Sequence, residues 1–442
     1  MSEKAPQIRI YERPDNAPTS ADYMVTVNGT PVHVYDCEVA AYACWAFEGQ
    51  IEVRVAVREN HEDIVVRPWR LSQGVTWDGS VAVLTLDKPT QLCLDPPFQQ
   101  RKPLFIYANA LETDRPNPSD PAVHFFEAGK IHDAGEITLR SGETLYIEGG
   151  AVVRGTVEVM DAEGVRIAGH GILDGGGQRL GRRRLVYFGK CRDVAINGII
   201  MVGTPSWTIV LHRCRDCRIS DVKQIGWLVG SDGVDVVASH DVLIENCCLR
   251  NNDDCVVVKA FGGYQKNVIS PEEPAPAPPT AENIEVRNCI LYNAHAGNAL
   301  EIGFELRSDV VRNVHFHDCD VIGAHGEGGV FTIHNGDHAT VEHVLYERIR
   351  VEHYYDRFID LRVLYSRYSR DEQRGRIRDV VFRDIDAAPN TCNSVSLIGG
   401  WDSEHLVEDI RLENVRIGGK RVASADDLHL FSNEHVRNVS FC

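Results

Sequence analysis

Asp232, Asp253 and Asp254 are the residues of this 442-residue chain best suited to do chemistry. Asp232 lies in Gly-Ser-Asp-Gly-Val-Asp, and the pair lies in Asn-Asn-Asp-Asp-Cys, 21 positions further on. An interval of that size is one coil of a stacked-strand solenoid, whose neighbouring coils lie about 4.8 Å apart. Carboxylates distant in sequence would then meet in one cluster. Crowded carboxylates cannot all ionise easily, so one keeps its proton and serves as an acid while another, ionised, activates water. Cleavage of a glycosidic bond needs that division of labour. Consecutive strand residues point to opposite faces, so Asp253 and Asp254 reach one groove together only at a bend or bulge. Asp235 is expected to stabilise the turn.

The elements that would bring these residues together are visible as a repeat. Take as origins the polar residues that open short apolar runs: Asp193, Asp216, Asp241, Asn283, Asn313, His343, Asp379 and Asp409. Three positions on, every run supplies a large apolar side chain: Ile196, Ile219, Ile244, Val286, Phe316, Tyr346, Phe382 and Leu412. Six positions on stand Ile199, Val222, Cys247, Cys289, Cys319, Ile349, Ile385 and Val415. Alternation within a run is the period of a strand, and recurrence of whole runs in one phase is the mark of a repeat architecture. A β-sandwich alternates too, but has no reason to hold one phase through eight units. The pattern therefore predicts an all-β chain dominated by a right-handed parallel β-helix.

Residues 8 to about 110 have a different texture, with strand-like runs at Tyr23 to Val27, Ile51 to Val57 and Val81 to Leu86 separated by Asn28-Gly29 and Asp78-Gly79. Turns of this kind between alternating runs predict a small antiparallel β-sandwich. The expected division is a sandwich with its linker over 1–123 and a β-helix over 124–442. The Pro-rich stretch from Ser270 to Pro279 cannot pair in a ladder and is an excursion from a coil, either a loop overhanging the aspartates and lining a substrate cleft or a passive insertion.

Composition narrows the partners. A net charge of −18 repels polyanions, which argues against nucleic acid. No apolar run approaches the ~18 residues of a membrane span, and the start of the chain has no apolar signal region, so a cytoplasmic location is expected. Cys247, Cys289 and Cys319 fall in an interior column, as reduced core thiols do. Neither Cys214 with Cys217 nor the histidine groups around His315 and His334 have the pattern of a metal site, so no metal or other cofactor is expected.

Four motifs then resemble a known family: Gly169-His170-Gly171-Ile172-Leu173-Asp174-Gly175, Pro205-Ser206-Trp207-Thr208-Ile209, Ser231-Asp232-Gly233-Val234-Asp235, and Asp253-Asp254-Cys255-Val256-Val257-Val258-Lys259. In order and spacing they are similar to the signatures of polygalacturonase-like glycoside hydrolases, family 28. Tyr146 to Val153 and the sandwich before it resemble the dextranase and isopullulanase group, family 49. The resemblance implies an inverting hydrolase with Asp253 as general acid and Asp232 and Asp254 holding the water. It implies a catalytic role for His295, in Ala294-His295-Ala296-Gly297, beside the acid.

Two departures bear on substrate. Glu301-Ile302-Gly303 stands where the pectin enzymes have Ser-Ile-Gly. Phe331-Thr332-Ile333 is aligned with their Arg-Ile-Lys, so no basic side chain is expected there. Losing cations that pair with a uronate and gaining Glu301 points to a neutral oligo- or polysaccharide. Lys259, Phe261, Tyr264, Glu301 and Trp227 are the expected substrate contacts, with pairing to an aspartate the alternative for Lys259. Two other readings are a galacturonide hydrolase, engaging uronate through Arg362 or Lys259, and a non-catalytic glycan-binding β-helix. Oligomeric state is not legible.

Overall fold

The structure, a computed structural model, describes residues 5–59, 61–177, 184–262, 280–389 and 393–442. From Val123–Phe126 onward the chain winds as a right-handed parallel β-helix. One face is a twelve-stranded parallel sheet running from Val123–Phe126 to Val436–Phe441. A second face contains Ile172–Asp174, Lys223–Ile225, Cys248–Asn251 and Ile290–Asn293, and a third contains Val234–Val237, Val256–Ala260, Leu300–Leu306, Gly329–Asn335 and Arg357–Val363. Each turn from the second face to the third carries polar residues out of the ladder, and the aspartates lie on two of these turns.

The polar origins of the repeat have a backbone cause. All eight, from Asp193 to Asp409, have φ between 50° and 58° and are skipped in the pairing register of the twelve-stranded sheet. They are single-residue bulges in the left-handed region, where Asp and Asn are the best-tolerated side chains after glycine. Their side chains also bond along the stack, as in Asn283 Nδ2 to Asp241 Oδ1 (2.9 Å) and Asn313 Nδ2 to Asn283 Oδ1 (3.0 Å).

The two apolar columns line the interior. Phe316, Tyr346 and Phe382 stack with centroids 5.0 and 4.9 Å apart, and Cys247, Cys289 and Cys319 are fully buried. No disulfide occurs among the described residues, whose cysteines are free.

The N-terminal region forms two packed sheets, one of six strands and one of five. Pairing is antiparallel except between Leu104–Ala110 and Ala41–Glu48, which run parallel. This sandwich does not hang free. Tyr42, Phe105 and Tyr107 pack on Ile200, Ile225 and Tyr292 of the second helix face, and Arg67 reaches Glu352 (2.9 Å) as well as Asp95 (2.7 Å). Even the expected linker is pinned, with Tyr146 donating to Glu112 (2.8 Å) and Arg115 paired with Glu148 (3.0 Å).

Candidate active site

Asp232 and Asp254 occupy the same register position on adjacent coils: the Thr208 amide bonds the Asp232 carbonyl, and the Gly233 amide bonds the Asp254 carbonyl. Asp253 joins them because the backbone bends at Asn252 and Asp253 before Val256–Ala260 begins. A carboxylate oxygen from each of the three lies within 4.8 Å of the others. Asp232 and Asp254 are nearly buried, at 3% and 8% exposure, whereas Asp253 is partly open.

Each carboxylate has its own support. Asp253 accepts from the Gly230 amide (2.9 Å) through Oδ2 and from the Asp254 amide (3.1 Å) through Oδ1. Asp254 Oδ1 accepts both the backbone amide (2.7 Å) and the side-chain amide (2.9 Å) of Asn298, which sits one coil further on. Asp232 is paired with Lys259 Nζ at 3.1 Å. Gly297 lies so close that a Cβ there would overlap Asp253 Oδ1 and the Asp254 amide, and its φ of 66° also favours glycine.

Burial first, and then the neighbouring Asp232, push the Asp253 carboxyl up to about 7; burial and crowding by Asp253, Asp232 and Glu301 raise Asp254 well above the usual range. Protons are therefore retained in this cluster near neutrality. Lys259 places a positive charge 3.1 Å from Asp232, inside the cluster.

Lys259 is not free to grip a sugar. It is 4% exposed, holds Asp235 at 2.6 Å as well as Asp232, and lies 3.7 Å from the centroid of the Trp207 ring. Arg184 covers the same ring at 4.0 Å. Asp235, expected in a turn role, instead projects from the middle of Val234–Val237 as the second anchor of Lys259.

The remaining expected contacts fare variously. Phe261 is 1% exposed, packed with Tyr187 and Val210 and 5.9 Å from the His212 ring, so it presents no face to a sugar. Tyr264 and the Pro-rich excursion lie outside the described residues. Trp227 is half-buried against Gly177 and Gly203. His295 is exposed and its ring bonds Gln99 of the sandwich at 3.5 Å, not an aspartate. The residue of that segment which does hold an aspartate is Asn298, three positions on, where the chain re-enters register with Asp254.

Glu301 is fully buried. It accepts from the Thr332 hydroxyl and binds His334 Nδ1 at 3.0 Å, while His334 Nε2 lies 3.1 Å from Asp360. The two carboxylates outweigh burial and hold His334 protonated up to about 9. Asp360 is also bound by Arg362 (2.7 Å) and Arg357 (2.7 Å).

The register corrects the sequence alignment here. Phe331 and Ile333 pair with Leu300 and Ile302 and point into the core, so the outward residues of the strand are Thr332 and His334. A basic side chain does remain, as His334. It is, however, neutralised on both nitrogens.

The three aspartates are the group of acidic side chains, among the described residues, close enough to ligate a cation; Lys259 already places positive charge there. His315 and His317 stack on each other on the outer sheet, paired with Glu347 and Glu285. A cavity of about 690 Å³ at the junction of sandwich and helix, bordered by Asn109, Tyr146 and His170, contains none of the aspartates.

Known proteins share this architecture. The fold is similar to that of Dex49A from Penicillium minioluteum, with a TM-score of 0.70 and 13% identity over 98% of this chain and 96% of that one. It is also similar to a family 28 exopolygalacturonase of Yersinia enterocolitica, with a TM-score of 0.54 and 11% identity over 99% and 96%. At these identities the likeness is one of fold. In sequence, a probable polygalacturonase of Arabidopsis thaliana is 27% identical over 107 residues, which is 23% of this chain and 24% of the relative. A polygalacturonase of Saccharomyces cerevisiae is 32% identical over 71 residues, 15% of this chain and 20% of the relative. The chain thus spans about a quarter or less of the length of the curated relatives it matches. The model of glycosyl hydrolases family 28 matches residues 127–435, well over half of the sequence, and the chain belongs to that family.

Proposed function

We propose that the protein hydrolyses O-glycosidic bonds of a neutral oligo- or polysaccharide with inversion at the anomeric carbon. The observation that carries the hydrolytic reading is the triplet of carboxylates within 4.8 Å of one another, one of them poised near neutrality. Asp253, the most open of the three, donates its proton to the glycosidic oxygen as the bond from that oxygen to the anomeric carbon breaks. A water held by Asp232 and Asp254 gives up a proton to Asp232 and attacks the same carbon from the opposite side. The acid ends ionised and the base protonated, and exchange with solvent restores both.

The three carboxylates sit closer together than the ~6.5–9.5 Å usual for a two-carboxyl inverting pair. In the proposed step the water therefore lies beside the cluster, against Asp232 and Asp254, rather than between acid and base. Proton NMR of the first-formed anomer tests this step directly, and a retained configuration refutes it.

The neutral-sugar reading is supported by the pairing of cations around the site. Lys259 is bound by Asp232 and Asp235, His334 by Glu301 and Asp360, and Arg362 by Asp360. A uronate would have to displace a buried carboxylate to reach Lys259 or His334. The galacturonide reading draws support from the polygalacturonase relatives in sequence. Reducing-sugar release from a panel of neutral oligosaccharides and galacturonan oligosaccharides separates the two; a preference for galacturonan defeats the neutral assignment. Hydrolysis of nothing in the panel, with glycan binding retained, would favour the non-catalytic alternative.

A further inference from the structure

Seven aromatic side chains stand among the exposed large hydrophobic residues of the described chain, and five of them fall between residues 355 and 431: Tyr355 (56%), Tyr365 (69%), Tyr368 (37%), Trp401 (49%) and Phe431 (63%). Such crowding is unexpected for a surface that meets only water, since exposed apolar groups on a monomer are usually scattered.

Their place in the fold is specific. Val257, on the coil of Asp254, is followed in register by Glu301, Thr332, Asp360, Leu397 and then Phe431, all on the outward side of the third face. Five steps of about 4.8 Å put Phe431 roughly 24 Å from the catalytic coil along the helix axis. Tyr355 lies on the same turn column as the aspartates, one residue before Asp356 and two before Arg357, the residue that follows Asp254, Asn298 and Gly329 in register. Tyr365 and Trp401 follow Arg357–Val363 and Val395–Gly399 at the opposite edge. Tyr368 closes the gap to the site: its ring is 5.5 Å from Phe304, which stacks at 4.5 Å on His334.

We propose that these last coils form an aromatic track that binds a polysaccharide chain extending from the aspartates toward the C-terminal end, with Trp401 and Phe431 as its distal platforms. The inference rests on the hydrolase reading for the direction of the chain. A sugar ring is suited to such a surface because its C–H faces are apolar while its rim hydroxyls need polar partners. Aromatic side chains offer the first at low entropic cost, and the exposed Arg367 and Arg370 beside Tyr368 offer the second. Glu301, Thr332 and Asp360 are buried between the two, so continuity with the carboxylate groove runs through Phe304 and Tyr368, and it favours a glycan over a second protein.

The test is native affinity electrophoresis of the full chain in gels containing dextran, pullulan, β-galactan or polygalacturonate. Wild type is compared with Trp401→Ala/Phe431→Ala and with Trp77→Ala, which removes an exposed ring on the sandwich. The expected result is retardation of wild type by at least one of these polymers, with an apparent dissociation constant at least ten-fold weaker in the double variant and unchanged in Trp77→Ala. No retardation by any of the four, or equal retardation of wild type and double variant, overturns the proposal. So does sedimentation showing a wild-type dimer that the double substitution dissolves while retardation stays the same. Loss of all hydrolysis in wild type with retardation intact counts against the hydrolase reading and not against the track.

Discussion

Replacing Asp253 with Asn should cut turnover sharply and stabilise the fold, and the two effects have one cause. Burial and Asp232 move the Asp253 carboxyl from 3.8 to about 7. A displacement of roughly three pH units at about 1.4 kcal/mol each amounts to about 4 kcal/mol between the two protonation states. In the unfolded chain the group ionises near its ordinary value, so between about pH 4 and 7 the native state binds the additional proton and stability falls as pH rises. Above pH 7 the folded enzyme carries the full cost of a crowded, ionised Asp253; below about pH 4 it carries none. Asn keeps an oxygen for the Gly230 amide but cannot ionise. The variant should therefore melt several degrees above wild type at pH 8, and the gap should close as the pH approaches 4. Catalysis should fall by about 10²–10⁴, the usual worth of general acid catalysis, and by less for a substrate with a good leaving group such as a nitrophenyl glycoside. In wild type, kcat/KM should decline as pH rises through about 7, where Asp253 loses its proton. Circular-dichroism melts across pH 4–8 and initial rates measure both. A variant with wild-type turnover, or a melting gap that does not change with pH, would refute the reasoning.

Three further substitutions test the surrounding structure. Lys259→Met leaves Asp232 and Asp235 without their buried cation and should cost about 3–5 kcal/mol in denaturant unfolding along with nearly all turnover; adding Asp235→Asn should recover part of the stability and none of the turnover. Phe382→Ala opens a cavity beside Tyr346 and Phe331 and should destabilise the β-helix by about 3–5 kcal/mol without changing substrate preference. Asp360→Asn removes the negative charge that pairs with His334 and Arg362, so the ratio of kcat/KM for a galacturonide to that for a neutral oligosaccharide should rise roughly ten-fold, about 1.4 kcal/mol. The gain should be greatest at acidic pH, because His334 without Asp360 loses its proton at a lower pH than about 9.

Much of the fold was legible because its determinants repeat. A bulge that needs a left-handed backbone selects Asp or Asn in seven of the eight coils and His343 in the other, and the two core columns follow at fixed offsets, so Asp193 to Asp409 report the winding even without coordinates. The grouping of Asp232 with Asp253 and Asp254 followed from the same periodicity. What escaped was anything decided by which outward side chain finds a partner across coils. Lys259, Phe261 and Glu301 were read as substrate contacts from their place at strand ends or near the acids. All three are buried, because a charge or ring on the outward face is covered wherever a neighbouring coil offers a counter-charge or another ring. His295 was chosen by motif, but its turn leans toward Gln99 of the sandwich, a residue 196 positions earlier that no local pattern connects to it. Asn298 carried a usable signal: once the excursion after Phe261 is set aside, it is the polar residue one coil beyond Asp254.

The one-residue offset at Phe331-Thr332-Ile333 shows why register decides function in this architecture. A strand has a period of two, so moving an alignment by a single position exchanges the groove face for the core face. Read one way, the strand has lost its cation; read by its pairing with Leu300 and Ile302, it presents His334 toward the groove. The proposed neutral-sugar reading then rests on a different observation, one that composition alone could not supply. Glu301, one coil below, and Asp360, one coil above, take the two nitrogens of that imidazole. A cation that two buried carboxylates already satisfy has little left to offer a uronate, since any new partner must displace an existing one. Selectivity against acidic sugars therefore requires no loss of basic residues, only that each basic residue near the groove be paired within the protein before substrate arrives.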